Sequence, residues 1–461
     1  MTMYQINFDN PISVYFIGIG GISMSGLAEV LLSRGFKVSG SDRTASPLTK
    51  HLEEKGAVIH YGQRAENITP DLDLVVYTAA ISKDNPEWQA MEELQLPSLS
   101  RAQLLGELMR NYEIPVAISG THGKTTTTSM VSEILLCGNT DPTLSIGGIL
   151  KSIGGNIRVG QSEYFVTEAC EYTNSFLHFN PKISIILNIE EDHLDFFKDI
   201  HEIRDSFHRF AGLLPQDGTL IINAEIEQLE EITKDISGSV LTYGFEADCD
   251  YYATDISYNK LGYPTFTLCS KNHPDSRVTL SVPGRHNISN AMAAIAFADC
   301  IDIDRAISLK ALNEFNGTER RFEKKGEVGG ITIIDDYAHH PTEIEATLQA
   351  ASNFPHRTIW CVFQPHTYTR TKAFLPEFAQ ALSKADRVVL ADIYAARETD
   401  TLGISSQDLC DAINELGTTC DFFPSFDEIE NFLLENCTQG DLLITMGAGD
   451  IVKVGERLLG K

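Results

Sequence analysis

The chain has 461 residues, 43% hydrophobic and 22% charged, with a net charge of −28. No run approaches the ~18 apolar residues of a membrane span, and so acidic a balance argues against nucleic acid or anionic lipid, which call for a basic face. The first residues lack the basic start and apolar core of a secretory signal, and nine cysteines without a C-x-x-C pair fit reduced thiols in the cytoplasm.

At about 100–200 residues per domain, more than one domain is expected. Residues 14–17 read as a strand that runs into Gly18-Ile19-Gly20-Gly21-Ile22-Ser23-Met24-Ser25-Gly26. An amphipathic helix over 27–34 follows, closed by Gly35, and then a strand over 36–42 that ends on Asp42. An acid about 20 residues beyond such glycines is where dinucleotide folds meet a ribose hydroxyl. The unit supports a nucleotide diphosphate site without saying which nucleotide. Further strands are expected over 72–78 and 96–100, and the segment ends near 110–112.

The next segment is built on Ser119-Gly120-Thr121-His122-Gly123-Lys124-Thr125-Thr126. An apolar strand precedes it and a helix-period pattern follows. Strand, glycine turn, Lys-Thr and helix together cradle a nucleoside triphosphate. Backbone N–H groups and the helix N-terminus face phosphate oxygens, Lys124 reaches the β- and γ-phosphates, and the Thr125 hydroxyl can ligate Mg²⁺. Ile118 stands where the common phosphate-loop form has its first glycine, so this is a shorter variant. Downstream, strands end on Glu168-Ala169-Cys170-Glu171 and on Asn188-Ile189-Glu190-Glu191-Asp192-His193. Ligands lie beyond the carboxyl ends of such strands, which makes Glu168 and then His193 the candidate Mg²⁺ ligands. Asn287 and Asn290 open an Ala-rich helix, as caps or as contacts to a base edge. Arg320 and Arg321 stand beside an expected domain junction, where one could stabilise charge in transfer.

In the last segment, strands over 331–336, 358–363, 387–392 and 442–446 alternate with helices, which implies a further parallel sheet. Polar residues again cluster where strands end: Tyr337, His339, His340, His366 and Arg370.

Taken in order, residues 18–26, 120–126, 168–172, 188–193, 284–290, 320–322, 335–341 and 363–371 resemble the motifs of the Mur ligase family over essentially the whole chain. The resemblance implies an α/β protein of three domains. These are a Rossmann-like N-terminal domain for a UDP-sugar (1–111), a central P-loop ATPase-like parallel-sheet domain (112–324), and a Rossmann-like C-terminal domain for an amino acid (325–461). It implies an ATP-dependent, Mg²⁺-assisted ligation of L-alanine to the lactyl carboxylate of UDP-N-acetylmuramate through an acyl phosphate, in cytoplasmic peptidoglycan precursor synthesis. A recycling ligase that adds a preformed murein peptide to the same UDP-sugar shares most of these motifs and is the alternative.

By the same resemblance, Gly18, Gly20, Gly21, Ile22, Ser23, Met24, Asp42, Thr78 and Arg101 would bind the UDP-sugar. Gly120, Thr121, His122, Gly123, Lys124, Thr125, Thr126, Asn287, Asn290 and Arg321 would bind ATP. Lys124, Glu168, His193 and Arg321 would serve catalysis, and Thr125, Glu168 and His193 the metal. Tyr337, His339, His366 and Arg370 would meet the amino acid. Two departures stand out. The position at which related ligases carry a carbamoylated lysine falls at His208-Arg209, so no carbamate is expected, and Thr367 follows His366 where some relatives have Arg. An oxidoreductase built on residues 18–26 would leave the phosphate loop unexplained. A nucleotide-regulated binding protein would show no phosphate release dependent on both substrates. Oligomeric state stays open.

Overall fold

Three sheets follow one another along the chain in a computed structural model that describes residues 4–396 and 398–461. Residues 1–3, with which the expected first domain opens, lie outside the described residues. The first sheet has five parallel strands in the order Val58–Tyr61, Lys37–Asp42, Ser13–Ile17, Leu74–Tyr77, Ser98–Ser100. The order reverses direction beside Ser13–Ile17, which places the glycine turn after that strand at the switch point of a doubly wound sheet. Val14, Phe16, Leu27 and Leu31 are buried together beneath it, so the alternation of the strand and the 3.6-residue period of helix Ile22–Ser33 meet in one core.

The second sheet has ten strands, in the order Ser276–Thr279, Pro264–Ser270, Tyr251–Tyr258, Ser239–Gly244, Thr219–Asn223, Ile183–Ile186, Ile114–Ser119, Tyr164–Ala169, Thr143–Leu150, Gly155–Arg158. The run from Tyr251–Tyr258 to Thr143–Leu150 is parallel. Pro264–Ser270, Ser276–Thr279 and Gly155–Arg158 are antiparallel additions. The expected parallel sheet is therefore the centre of a mixed one, because hairpins extend both edges. Every residue of Ile183–Ile186 is buried, as a strand covered on both faces requires. Helices Lys124–Cys137 and Arg285–Cys300 pack on each other over one face, and both aim their N-termini at the same end of the sheet.

The third sheet runs Glu323–Val328, Ile331–Asp336, Leu442–Met446, Ile359–Phe363, Arg387–Leu390, Thr419–Phe422, parallel except for its first strand. That strand folds back antiparallel through Gly329-Gly330, so the third sheet begins at Glu323 and its first strand straddles the boundary expected after residue 324. Just before it, Arg320 (φ 60°) and Phe322 (φ 49°) hold left-handed backbone, a strained connector tied down by hydrogen bonds. Arg320 Nε donates to Asp335, the Phe322 N–H to Asp336, and the Tyr337 N–H to the Arg320 oxygen, at 3.0, 2.8 and 2.7 Å.

The first two units meet through glycines. A Cβ on Gly26 would lie 2.8 Å from Ile157 Cδ1, and one on Gly106 1.9 Å from the main-chain oxygen of His178. Gly106 lies inside helix Arg101–Met109, where alanine by itself would favour the helix by about 1 kcal/mol. Gly106→Ala is nonetheless expected to destabilise the chain by about 1–3 kcal/mol, the cost of overpacking against backbone, and to lower the melting temperature in calorimetry. An unchanged or higher melting temperature would mean the contact with residue 178 is not close.

Candidate active site

The phosphate loop owes its path to two glycines. Gly120 (φ 145°) passes under the next strand end, where a Cβ would meet Leu187 Cβ at 2.9 Å, and a Cβ on Gly123 (φ 82°) would meet Asn290 Oδ1, also at 2.9 Å. Asn188 clamps the loop between them. Its Oδ1 accepts from the His122 N–H at 2.7 Å and its Nδ2 donates to the His122 oxygen at 3.1 Å. The Glu190 N–H donates to Thr121 Oγ1 at 2.9 Å. Strand Ile183–Ile186 thus delivers its polar end onto the loop.

Lys124 is folded back over this loop. Its ammonium donates to the oxygens of Gly120 (2.5 Å) and Thr121 (3.1 Å) and to Glu171 Oε2 (3.1 Å). Burial disfavours its charge, but the Glu171 carboxylate outweighs burial and raises its pKa. Thr125 Oγ1 donates to Glu168 Oε2 at 3.2 Å, and the Gly147 N–H donates to Glu168 Oε1. Burial pushes the Glu168 carboxyl up, against the pull of these hydrogen bonds. His193, in left-handed backbone (φ 53°), does not join this pair. Its Nε2 lies 3.7 Å from Glu171 Oε1 and 3.8 Å from Asp192 Oδ2, and no hydrogen bond or ion pair links it to Glu168 among the described residues. Of the expected metal set, Thr125 and Glu168 are brought together, while His193 stands one side chain away, behind the carboxylate that holds Lys124.

A cavity of about 570 Å³ opens beside the loop, lined among others by His122, Gly123, Thr126, Asn287, Asn290 and Arg321. The two asparagines do not cap their helix. Gly284 occupies the N-cap, with no side-chain bond. Asn287 instead donates to the Pro283 oxygen, and Asn290 donates to Asn287 Oδ1, at 2.7 and 3.0 Å. The Arg321 guanidinium sits over the Tyr337 ring, 5.1 Å from its centroid, and 3.9 Å from Glu343. Phe245, with Arg285 stacked 3.8 Å over its ring, lines the same cavity.

The third unit closes the cavity through polar contacts. His122 Nδ1 is 3.2 Å from Glu343 Oε1, and Thr342 Oγ1 donates to Glu190 Oε2 at 2.7 Å. Arg370 donates through Nε (3.2 Å) and Nη2 (2.8 Å) to Asp192 Oδ1. Burial opposes charge on both His122 and Asp192, and the partners prevail. Glu343 and Glu190 lift the His122 imidazole to about 9, and Arg370 holds the Asp192 carboxyl well below the usual range. Tyr337, His339, His366 and Arg370 do form one cluster. The rings of Tyr337 and His339 are 5.5 Å apart, those of His339 and His366 5.7 Å, and His366 Nδ1 is 3.1 Å from Arg370 Nη1. Burial and the Arg370 charge keep His366 neutral, near 4; burial does the same for His339. Thr367 caps the helix that carries Arg370 by accepting from its N–H. A smaller cavity of about 260 Å³ lies between residues 192–195 and 367–374.

At the first sheet, Asp42 braces the glycine turn. Oδ2 accepts from the Gly20 N–H at 2.8 Å and Oδ1 from the Arg43 N–H at 2.7 Å. Gly21 is the N-cap of helix Ile22–Ser33, Met24 is buried, and Ile22 is 67% exposed at the mouth. Arg101 Nη1 donates to Ser23 Oγ at 3.1 Å, and Thr78 lies alongside Gly18. Sequence reasoning left Asn188, Glu171, Asp192 and Glu343 out of the site. The first three stood inside motifs already singled out. Glu343, a helix acid at the first turn, gave no signal of its own.

Three family descriptions match the chain: "Mur ligase family, catalytic domain" over residues 13–113, "Mur ligase middle domain" over 118–298 and "Mur ligase, glutamate ligase domain" over 320–449. The chain is 58% identical over 459 residues to the UDP-N-acetylmuramate–L-alanine ligase of Agathobacter rectalis, covering 100% of both chains. It is 59% identical over 458 residues to that of Lachnospira eligens, covering 99% and 100%. Among solved structures it is similar to the UDP-N-acetylmuramate-alanine ligase of Thermotoga maritima (TM-score 0.80, 30% identity, 97% and 98% covered). It is also similar to a murein peptide ligase of Psychrobacter arcticus (TM-score 0.70, 27% identity, 97% and 98% covered).

Asn188→Ala removes both side-chain hydrogen bonds to the His122 backbone. At about 1 kcal/mol each, their loss is expected to weaken ATP binding by roughly 5–30-fold in calorimetry and to leave binding at the first sheet untouched. Unaltered ATP affinity would mean that the loop holds its shape without the clamp.

Proposed function

Because this chain belongs to the Mur ligase family, we propose that it joins L-alanine to UDP-N-acetylmuramate at the expense of ATP. Full-length identity of 58–59% to ligases of that name supports L-alanine over a preformed peptide, since the peptide ligase of similar fold shares 27%. The observation that carries the reading is the phosphate loop itself, with Lys124 and Thr125 beside His122, Gly123 and Thr126, which line a cavity that another unit closes.

In this reading the lactyl carboxylate attacks the γ-phosphate of ATP and displaces ADP, and the acyl phosphate formed is attacked by the amine of L-alanine. A tetrahedral adduct collapses to the amide and releases phosphate. Lys124 and Arg321 supply positive charge where the phosphoryl group moves. Thr125 Oγ1 and Glu168 are the oxygen donors Mg²⁺ prefers; bound there, the ion would screen phosphate charge. The third unit, seated on the loop, excludes water that would hydrolyse the acyl phosphate. Arg370 has the fork geometry to grip the amino-acid carboxylate; since it already holds Asp192, the substrate must share or displace that partner. We take the units as residues 1–111, 112–324 and 325–461, with the sheet qualification at Glu323. The nine free cysteines favour a reducing, cytoplasmic setting, and no helix among the described residues is long and apolar enough to cross a membrane.

Phosphate release from ATP is expected only when UDP-N-acetylmuramate and L-alanine are both present, with a tripeptide much poorer than alanine. Lys124→Ala is expected to cut the rate by about 10³-fold, as for other donors to a developing charge, without loss of UDP-sugar binding. Equal release with tripeptide would turn the assignment toward recycling. A Lys124→Ala rate within tenfold of the parent would sink the role of the loop.

A further inference from the structure

Two buried imidazole nitrogens at the seam between the second and third units make no close hydrogen bond: His122 Nε2, which faces only Glu190 Oε2 at 3.4 Å, and His340 Nδ1. In each ring the other nitrogen is committed. His122 Nδ1 faces Glu343 Oε1 at 3.2 Å, and His340 Nε2 lies 3.1 Å from the main-chain oxygen of Glu191. A carbonyl oxygen only accepts, so His340 carries its hydrogen on Nε2 and keeps a lone pair on Nδ1. His340 is 5% exposed, and the two rings lie 4.8 Å apart. Glu190 completes the group. Its Oε2 is 3.4 Å from His122 Nε2 and is oriented by the Thr342 hydroxyl. One ligating atom from each of His122, Glu190 and His340 lies within 4.8 Å of the others.

Metal-binding histidines have this arrangement: one nitrogen anchored to a carboxylate or a backbone carbonyl, the other left to coordinate. We propose that His122, Glu190 and His340 form a site for a divalent transition ion of the Zn²⁺ or Co²⁺ kind, separate from the Thr125–Glu168 pair. Two imidazoles and one carboxylate suit such ions, whereas Mg²⁺ takes oxygen donors. An ion held at about 2.1 Å from each ligand draws the three atoms to roughly 3.4 Å from one another, so the group tightens on binding and a water takes the fourth position. The proton that the His122 imidazolium carries on Nε2 passes to solvent as the metal enters. His122 and Glu190 belong to the second unit and His340 to the third, so the ion pins the third unit onto the phosphate loop.

The test is a Co²⁺ titration of the full-length, chelator-stripped protein with Mg²⁺ in excess, followed by visible absorption and by melting temperature. One equivalent is expected to bind, with ligand-field bands and a raised melting temperature. His340→Ala and the near-isosteric Glu190→Gln are each expected to weaken binding about tenfold or more, while Glu168→Gln leaves it unchanged. Melting curves in chelator establish that each variant is folded before cobalt is added. Equal Co²⁺ affinity in the parent and both seam variants, or loss confined to Glu168→Gln, would overturn the proposal.

Discussion

Arg370 and Asp192 meet at 2.8 Å with 10% and 8% of their side chains exposed, one on the third unit and one on the second. Removing either partner from a pair so buried leaves a charge without compensation, at a cost of about 3–5 kcal/mol. The seam can therefore close only when its charges match, and everything polar around it follows suit. His122 is held between Glu190 and Glu343, Lys124 lies against Glu171, and Arg321 leans on Tyr337 and Glu343. In a chain of net charge −28, cations are scarce, and Lys124, Arg320, Arg321 and Arg370 all stand on or beside this seam.

The two interfaces of the second unit are built from different materials. Toward the first unit, Gly26 and Gly106 let side chain and backbone touch with no room for a methyl group, a contact that does not slide. Toward the third, hydrogen bonds and ion pairs prevail, and these exchange with water when they part. Polar interfaces of this kind are the ones that move. A reaction that must admit three substrates and then shut out water needs one fixed boundary and one that opens. The strained backbone at Arg320 and Phe322, where the chain crosses to the third unit, sits at the boundary that must turn.

Much of this was legible in residues alone. The phosphate loop could be read because strand, glycines and Lys-Thr are adjacent in sequence, and the turn at residues 18–26 for the same reason. Element order was legible wherever an apolar run was long enough to be buried on both faces. What escaped the sequence was pairing across distance. Nothing near residue 192 announces Arg370, and nothing near residue 122 announces Glu343. His193 was expected beside Glu168 because both follow strand ends, yet its left-handed backbone turns it to Glu171. Asn287 and Asn290 look like caps, but Gly284 already holds the N-cap of that helix. The hairpin at Gly329-Gly330 moved the start of the third sheet because antiparallel additions at an edge leave no mark in a pattern read for parallel strands.

The reaction proposed for this chain turns on one chemical event, transfer of a phosphoryl group to a carboxylate before the amide forms. It is tested most directly by labelling the lactyl carboxylate of UDP-N-acetylmuramate with ¹⁸O and analysing the phosphate released in the presence of ATP and L-alanine by mass spectrometry. One labelled oxygen is expected to pass into inorganic phosphate with each amide formed. Amide formation with all label retained in the product would contradict it.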